Sequence, residues 1–127
     1  MNTPENLKYN KVDEWVNVED GVVTIGITDY AQEHLSDVVF VEIKVAVGDI
    51  LARGFVFAVV ESVKASSDIA APLSGKVLEI NDEILSSPEL INSDPYGRAW
   101  FIKVQISHPA ELADLIDSGS YQDFRKE

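Results

Sequence analysis

The stretch VVESVKASSDIAAP, Val59 to Pro72, decides how the rest of the chain reads. Apolar, β-branched residues stand on both of its sides, and a lone lysine, Lys64, sits between them with Val63 and Ala65 as neighbours. Small polar residues, Ser66-Ser67-Asp68, lead back toward Ala71-Pro72. Two β runs separated by a short polar connection predict a hairpin, with Lys64 near its tip.

Working outward, further β-rich blocks appear. GVVTIGIT (Gly21 to Thr28) follows the turn signal Glu19-Asp20-Gly21. DVVFVEIKVAVGD (Asp37 to Asp49) carries Val, Phe or Ile at nearly every position, the pattern of a strand buried on both faces. FVFAVVESV and KVLEIND complete the set. Many short strands divided by Gly, Asp and Pro predict a mainly β sandwich or barrel with small helical additions. The turns Val47-Gly48-Asp49 (with Gly54) and Pro72-Leu73-Ser74-Gly75 flank Lys64 on either side, an echo that would put the lysine near the axis of two quasi-symmetric halves.

The helical signals are brief. Asp29 to Leu35 reads as one helix, with Asp29 as N-cap and Gln32 three residues on. Pro109 suits a first helical position, Leu112, Leu115 and Ile116 share a face, and Gly119 reads as a stop before a final turn anchored by Tyr121 and Phe124. A single domain over 1–127 is expected, with a β core from about 11 to 106 and a helical segment from about 108 to 125.

Composition narrows the function. With no cysteine there is no disulfide framework, thiolate metal site or cysteine nucleophile. His34 and His108, the two histidines, have no partner at helical metal-ligand spacing and suit surface or capping roles. No glycine-rich phosphate loop or nucleophile–base constellation is visible, and Asp82-Glu83 reads as a solvated turn, so the chain is not expected to be an enzyme. Twenty-two acids against ten bases give a net charge of −12, which disfavours nucleic acid and anionic membrane and equally suits docking to basic protein patches or simple dispersal. The amino terminus, MNTPENLKYNKVDEW, lacks an apolar signal region, so a cytoplasmic monomer is expected, or an organelle-matrix protein if a leader was removed.

Several separated motifs then align with one family. Glu61-Ser62-Val63-Lys64-Ala65, Gly26-Ile27-Thr28-Asp29-Tyr30-Ala31-Gln32, Asp37-Val38-Val39-Phe40-Val41-Glu42, Pro88-Glu89-Leu90-Ile91-Asn92, Asp94-Pro95-Tyr96-Gly97 with Trp100, and Glu14-Trp15 occur in order. From about residue 7 to residue 124 the chain resembles the glycine-cleavage H proteins. The resemblance implies a flattened barrel-sandwich of two antiparallel sheets, the lipoyl/biotinyl-like hybrid motif, with short peripheral and C-terminal helices. It also implies lipoic acid attached covalently at Lys64, put there by a lipoate ligase or by an octanoyltransferase and lipoyl synthase.

On the same resemblance, the arm would carry an aminomethyl group from a pyridoxal-phosphate glycine decarboxylase to a tetrahydrofolate-dependent aminomethyltransferase. Dihydrolipoamide dehydrogenase would then reoxidise it. Glu61, Val63 and Ala65 flank the attachment point, and Glu14 and Asp68 match family acids that contact the loaded arm. An amine on a stiff hairpin suits such modification, because the modifying enzyme must reach it. Carboxylates suit an ammonium cargo, since charge-assisted hydrogen bonds are about twice as strong as neutral ones.

The chain departs from the pattern in places. Val12-Asp13 stands where the family has Ser-His or Thr-His before Glu-Trp; Ser36 and Ala99 replace glycines, and Ile43-Lys44-Val45 replaces Leu-Pro-Glu. These departures leave two alternatives open: an H-like lipoate-binding protein of another pathway, such as oxidative sulfur metabolism, and a biotinyl carrier or non-carrier interaction module. Against biotin, no methionine flanks Lys64; the one methionine is Met1.

Overall fold

The computed structural model describes residues 1–126. Strand β1 (Lys8–Tyr9) turns into β2 (Glu14–Glu19), and β2 pairs along its whole length with β3 (Val22–Ile27). Asp20 and Gly21 both take positive φ, 51° and 79°, as a two-residue turn between twisted antiparallel strands requires. Helix α1 (Asp29–Leu35) follows, then β4 (Val38–Ile43), β5 (Ile50–Leu51), β6 (Val56–Ser62), β7 (Ser66–Ala70) and β8 (Gly75–Ile80). Two one-turn helices, α2 (Glu83–Ser86) and α3 (Leu90–Ser93), precede β9 (Ile102–Ile106). A 3-10 segment (Pro109–Asp114) and helix α4 (Ser118–Arg125) come last.

The strands form two open antiparallel sheets, one ordered β1-β2-β3-β9-β8-β5 and one ordered β4-β6-β7. This is the expected mainly β architecture with short helices. Val16, Val23, Ile25, Val77, Ile102 and Val104 of the large sheet share one buried cluster with Val41, Phe57, Val60 and Ile69 of the small one. Each strand turns one face inward, so apolar burial of about 25 cal/mol per Å² holds the layers together. A second cluster, Leu7, Tyr9, Trp15 and Tyr121, sits against α4, with the Tyr9 and Tyr121 rings stacked 4.8 Å apart.

The separated sequence motifs converge here. Trp15 donates its indole N–H to the Pro95 carbonyl at 2.9 Å, and the Tyr96 hydroxyl accepts from the Asp29 amide at 2.9 Å. Asn92 accepts from the Val38 amide and donates to the Ser36 carbonyl, both at 2.8 Å, so it ties the end of α1 to the start of β4.

Three local expectations are corrected. The run Asp37–Asp49 is not one doubly buried strand: β4 stops at Ile43, and Val39 and Phe40 are about half exposed. A bulge between Val38 and Phe40 breaks the alternation, and the small sheet has only one face on the core. The N-cap of α1 is Thr28, not Asp29; its hydroxyl accepts from the Ala31 amide, while Asp29 already has helical backbone and takes a hydrogen bond from Gln32. Gly119 does not stop a helix but lies inside α4, which Asp117 caps by accepting from the Ser120 amide.

Ser36 explains one departure from the family pattern. It ends α1 at φ 63°, ψ −150°, a region that suits glycine and strains a residue with a Cβ. Ser36→Gly is therefore expected to raise unfolding stability by about 1–2 kcal/mol in urea titration. An unchanged or lower midpoint would contradict the strain.

Candidate functional site

The β6–β7 hairpin is closed by its own backbone. Glu61 pairs with Ser66, the Ser62 amide donates to the Ala65 carbonyl at 2.8 Å, and the Ser62 hydroxyl oxygen accepts from the Lys64 and Ala65 amides at 3.3 and 3.1 Å. The Val63 amide donates to the Asp37 carbonyl at 3.0 Å, which braces the tip against the segment entering β4. With the backbone so occupied, the side chains of Val63, Lys64 and Ala65 project into solvent. Glu61 is exposed on the outer side of the small sheet, opposite Phe40. Among the described residues Lys64 is in no ion pair, so its amine is open to chemistry.

Beside the hairpin lies a cleft of about 320 Å³. Its walls come from four places: Val12, Asp13 and Glu14 where the chain enters β2, Ile27 at the end of β3, Tyr30, Ala31, His34 and Leu35 of α1, and Ser67 to Ala70 of β7. Glu14 and Asp68, far apart in sequence, thus share one cleft. Glu61, Val63 and Ala65 stay at the tip and do not line it. The expected surface role of His34 fits, since it is exposed and bonds the Tyr30 carbonyl at 3.0 Å, but it also lines the cleft. His108 is exposed and bonds Ser107 at 2.8 Å.

Glu14 is the unusual group. The residue is only 2% exposed, and its side chain has one donor, the Asn10 amide, at 2.7 Å from Oε1. Asn10 also accepts from the Glu14 and Val12 backbone amides, at 2.9 and 3.2 Å, and so shapes the turn that aims the carboxyl. Burial pushes the Glu14 pKa up to about 8; the Asn10 bond pulls it partly back, and the neighbouring Asp13 charge pushes it further up. Near neutral pH the carboxyl is therefore mostly protonated, a neutral acid waiting in an apolar cleft. Asn10 was not legible from the sequence, where only its place four residues before Glu14 hinted at a local bond.

The residues fit a lipoyl arm. Ile27, Ala31, Leu35 and Ile69 offer apolar walls to a hydrocarbon stem, while Glu14 and Asp68 offer acceptors to a cationic end. A cation beside Glu14 favours its ionised form and draws off the proton.

Because the folded pKa of Glu14 lies above its ordinary value of 4.5, its contribution to stability is complete below about pH 4.5 and is lost as pH rises through about 8. Glu14→Gln should abolish that loss, so the stability difference between the chains should move in the variant's favour by about a few kcal/mol from pH 4.5 to above pH 8. Urea midpoints for both chains across this window check it; parallel pH profiles would contradict the buried neutral acid.

The family model described as Glycine cleavage H-protein matches residues 7–127. The glycine cleavage system H protein of Carboxydothermus hydrogenoformans is 50% identical over 124 residues, covering 98% of this chain and 95% of its own. That of Thermotoga maritima is 51% identical over 117 residues, covering 92% and 94% respectively. The crystal structure of a glycine cleavage system H protein from Mycobacterium marinum superposes with a TM-score of 0.86 at 34% identity, covering 94% of this chain and 96% of that one. These relatives do not favour the alternatives of another lipoyl pathway or a non-carrier module. The chain belongs to the glycine cleavage H-protein family, whose members are lipoyl carriers and not catalysts.

Proposed function

We propose that Lys64 carries the lipoyl group and that the chain shuttles the aminomethyl group of glycine between the enzymes of the glycine cleavage system. The observation that carries this reading is the exposed Lys64 amine on a hydrogen-bonded hairpin tip whose second strand walls a cleft lined by Glu14 and Asp68. The bound group supplies reversible dithiol–disulfide chemistry and the point of cargo attachment. The chain's own residues supply position and protection. Ser62 and the Asp37 carbonyl hold the tip rigid, so a modifying enzyme meets one amine in one geometry. Glu61, Val63 and Ala65 form the local surface such an enzyme reads; Ala65 and Val63 add no bulk that would block it. Ile27, Ala31, Leu35 and Ile69 exclude water from an arm lying in the cleft, and Glu14 and Asp68 receive its ammonium end.

Glycine decarboxylase, the aminomethyltransferase and dihydrolipoamide dehydrogenase are the partners on this reading, with a lipoate ligase or an octanoyltransferase and lipoyl synthase for attachment. The working form is a cytoplasmic monomer. No described helix is long and apolar enough to cross a membrane.

Treatment with a lipoate ligase and lipoate is expected to add one lipoyl group, mapped by peptide mass spectrometry to Lys64. The lipoylated chain should then support glycine–bicarbonate exchange with a cognate decarboxylase. Lys64→Arg should take no adduct and support no exchange. An adduct elsewhere, or exchange undiminished in Lys64→Arg, would overturn the proposal.

A further inference from the structure

Asp13 stands where the family has histidine, and its surroundings give it a specific task. Its Oδ1 accepts from the Tyr121 hydroxyl and from Arg125 Nε, both at 2.7 Å, and its Oδ2 accepts from Arg125 Nη2 at 2.6 Å. Its own backbone is left-handed, with φ 68°, a conformation that Asp tolerates better than most residues. Its carbonyl accepts from the Thr28 amide at 2.9 Å. The turn carrying Val12, Asp13 and Glu14 is therefore held from both the side chain and the main chain of Asp13.

Arg125, on the last turn of α4, reaches the second wall as well. Its guanidinium lies 4.3 Å from the centre of the Tyr30 ring, which is part of α1 and of the cleft lining. Tyr121 extends the link: its hydroxyl also bonds Thr28 Oγ1 at 2.8 Å, and Thr28 caps α1. Burial works against the charge on Arg125, but its bonds to Asp13 outweigh that and hold its pKa above the ordinary arginine value.

The pair differs from the other arginine pairs of the chain. The Arg125 and Asp13 side chains are 21% and 17% exposed, whereas those of Arg98 and Glu83 are 63% and 43% exposed, and Arg53, whose partners Asp114 and Glu111 are 69% and 16% exposed, is itself 46% exposed. An exposed pair contributes little, but a two-pronged, half-buried guanidinium stacked on an aromatic ring fixes geometry.

We propose that Asp13 and Arg125 form a latch through which α4 holds the start of β2 and helix α1 in register, so that Arg125 is a positioning residue for Glu14 in the cleft. The latch governs retention of a cationic cargo and leaves attachment at Lys64 untouched. This rests on the carrier reading above for its functional consequence, though not for the latch itself.

Two variants open the latch from opposite ends. Asp13→Gly keeps the left-handed backbone without strain and removes the carboxylate; Arg125→Gln removes the charge and the fork. Amide hydrogen exchange of the unmodified chain is the first readout. In both variants the Glu14 and Thr28 amides should exchange about tenfold faster or more, while those of Val77 and Val104 in the core stay protected. The second readout uses lipoylated chains loaded with glycine and a cognate decarboxylase. Both variants should be lipoylated like the parent yet lose cargo to water about tenfold faster, the loss that a weakening of 1.4 kcal/mol in docking would give. Arg125→Lys, which keeps charge without the fork, should fall between them and the parent.

Parent-like exchange at Glu14 and Thr28 in both variants would overturn the latch, as would equal acceleration at Val77 and Val104, which reports global loosening. Parent-like cargo retention with accelerated local exchange would overturn its role in positioning. Failure of the parent itself to take cargo would instead count against the carrier reading, and the exchange data would still decide the latch.

Discussion

The structure depends on the register of one hairpin. Strands β6 and β7 serve two purposes together: their connection lifts Lys64 into solvent, and β7 forms a wall of the cleft that contains Asp68 and faces Glu14. Side chains alternate across a strand, so a slip of one residue in pairing would exchange the faces of Asp68 and Ile69 and would move Lys64 off the tip. Val60 and Ile69, buried on the inner side, and the bulge between Val56 and Ala58 pin the pairing that is seen. The hydrogen bonds of Ser62 across the tip and of Val63 to Asp37 finish the job where the ladder ends.

The cleft is built against the grain of folding. Burying Glu14 with a single amide partner costs stability as soon as the group ionises, and the surroundings add a second acid in Asp13. A chain selected only for stability would place an apolar residue there. On the proposed carrier function a cation arrives there as cargo, and the net charge of −12 adds a favourable field for that arrival. Arg125 is spent on Asp13, and among the described residues Glu14 is in no ion pair.

Much of this was legible before the structure. The polar connection between two β runs identified the hairpin and the exposed lysine, and the separated motifs identified the family and the two acids of the cleft. What escaped was whatever depends on contacts between distant segments. The resemblance set both acids against one arm, but the walls around them, from α1 and the end of β3, came only with the fold. Asn10 gave no periodic signal, because an Asx turn is a matter of two backbone amides and not of pattern. Val39 and Phe40 read as buried because their type is apolar, whereas a bulge turned both outward. The substitution at residue 13 read as a loss of histidine; only the fold brings Arg125, over a hundred residues away in sequence, onto its carboxylate. The replacement of glycine at Ala99 has no explanation in the structure.

The most direct test is a nuclear Overhauser measurement on lipoylated, cargo-loaded protein with labelled methyl groups. Contacts between the methylenes of the arm and the methyls of Ile27, Leu35 and Ile69 are predicted, because these residues line the cleft beside the hairpin. A loaded arm that keeps its cargo while showing no contact with any of the three would contradict the claim that one hairpin both presents the lysine and shelters what it carries.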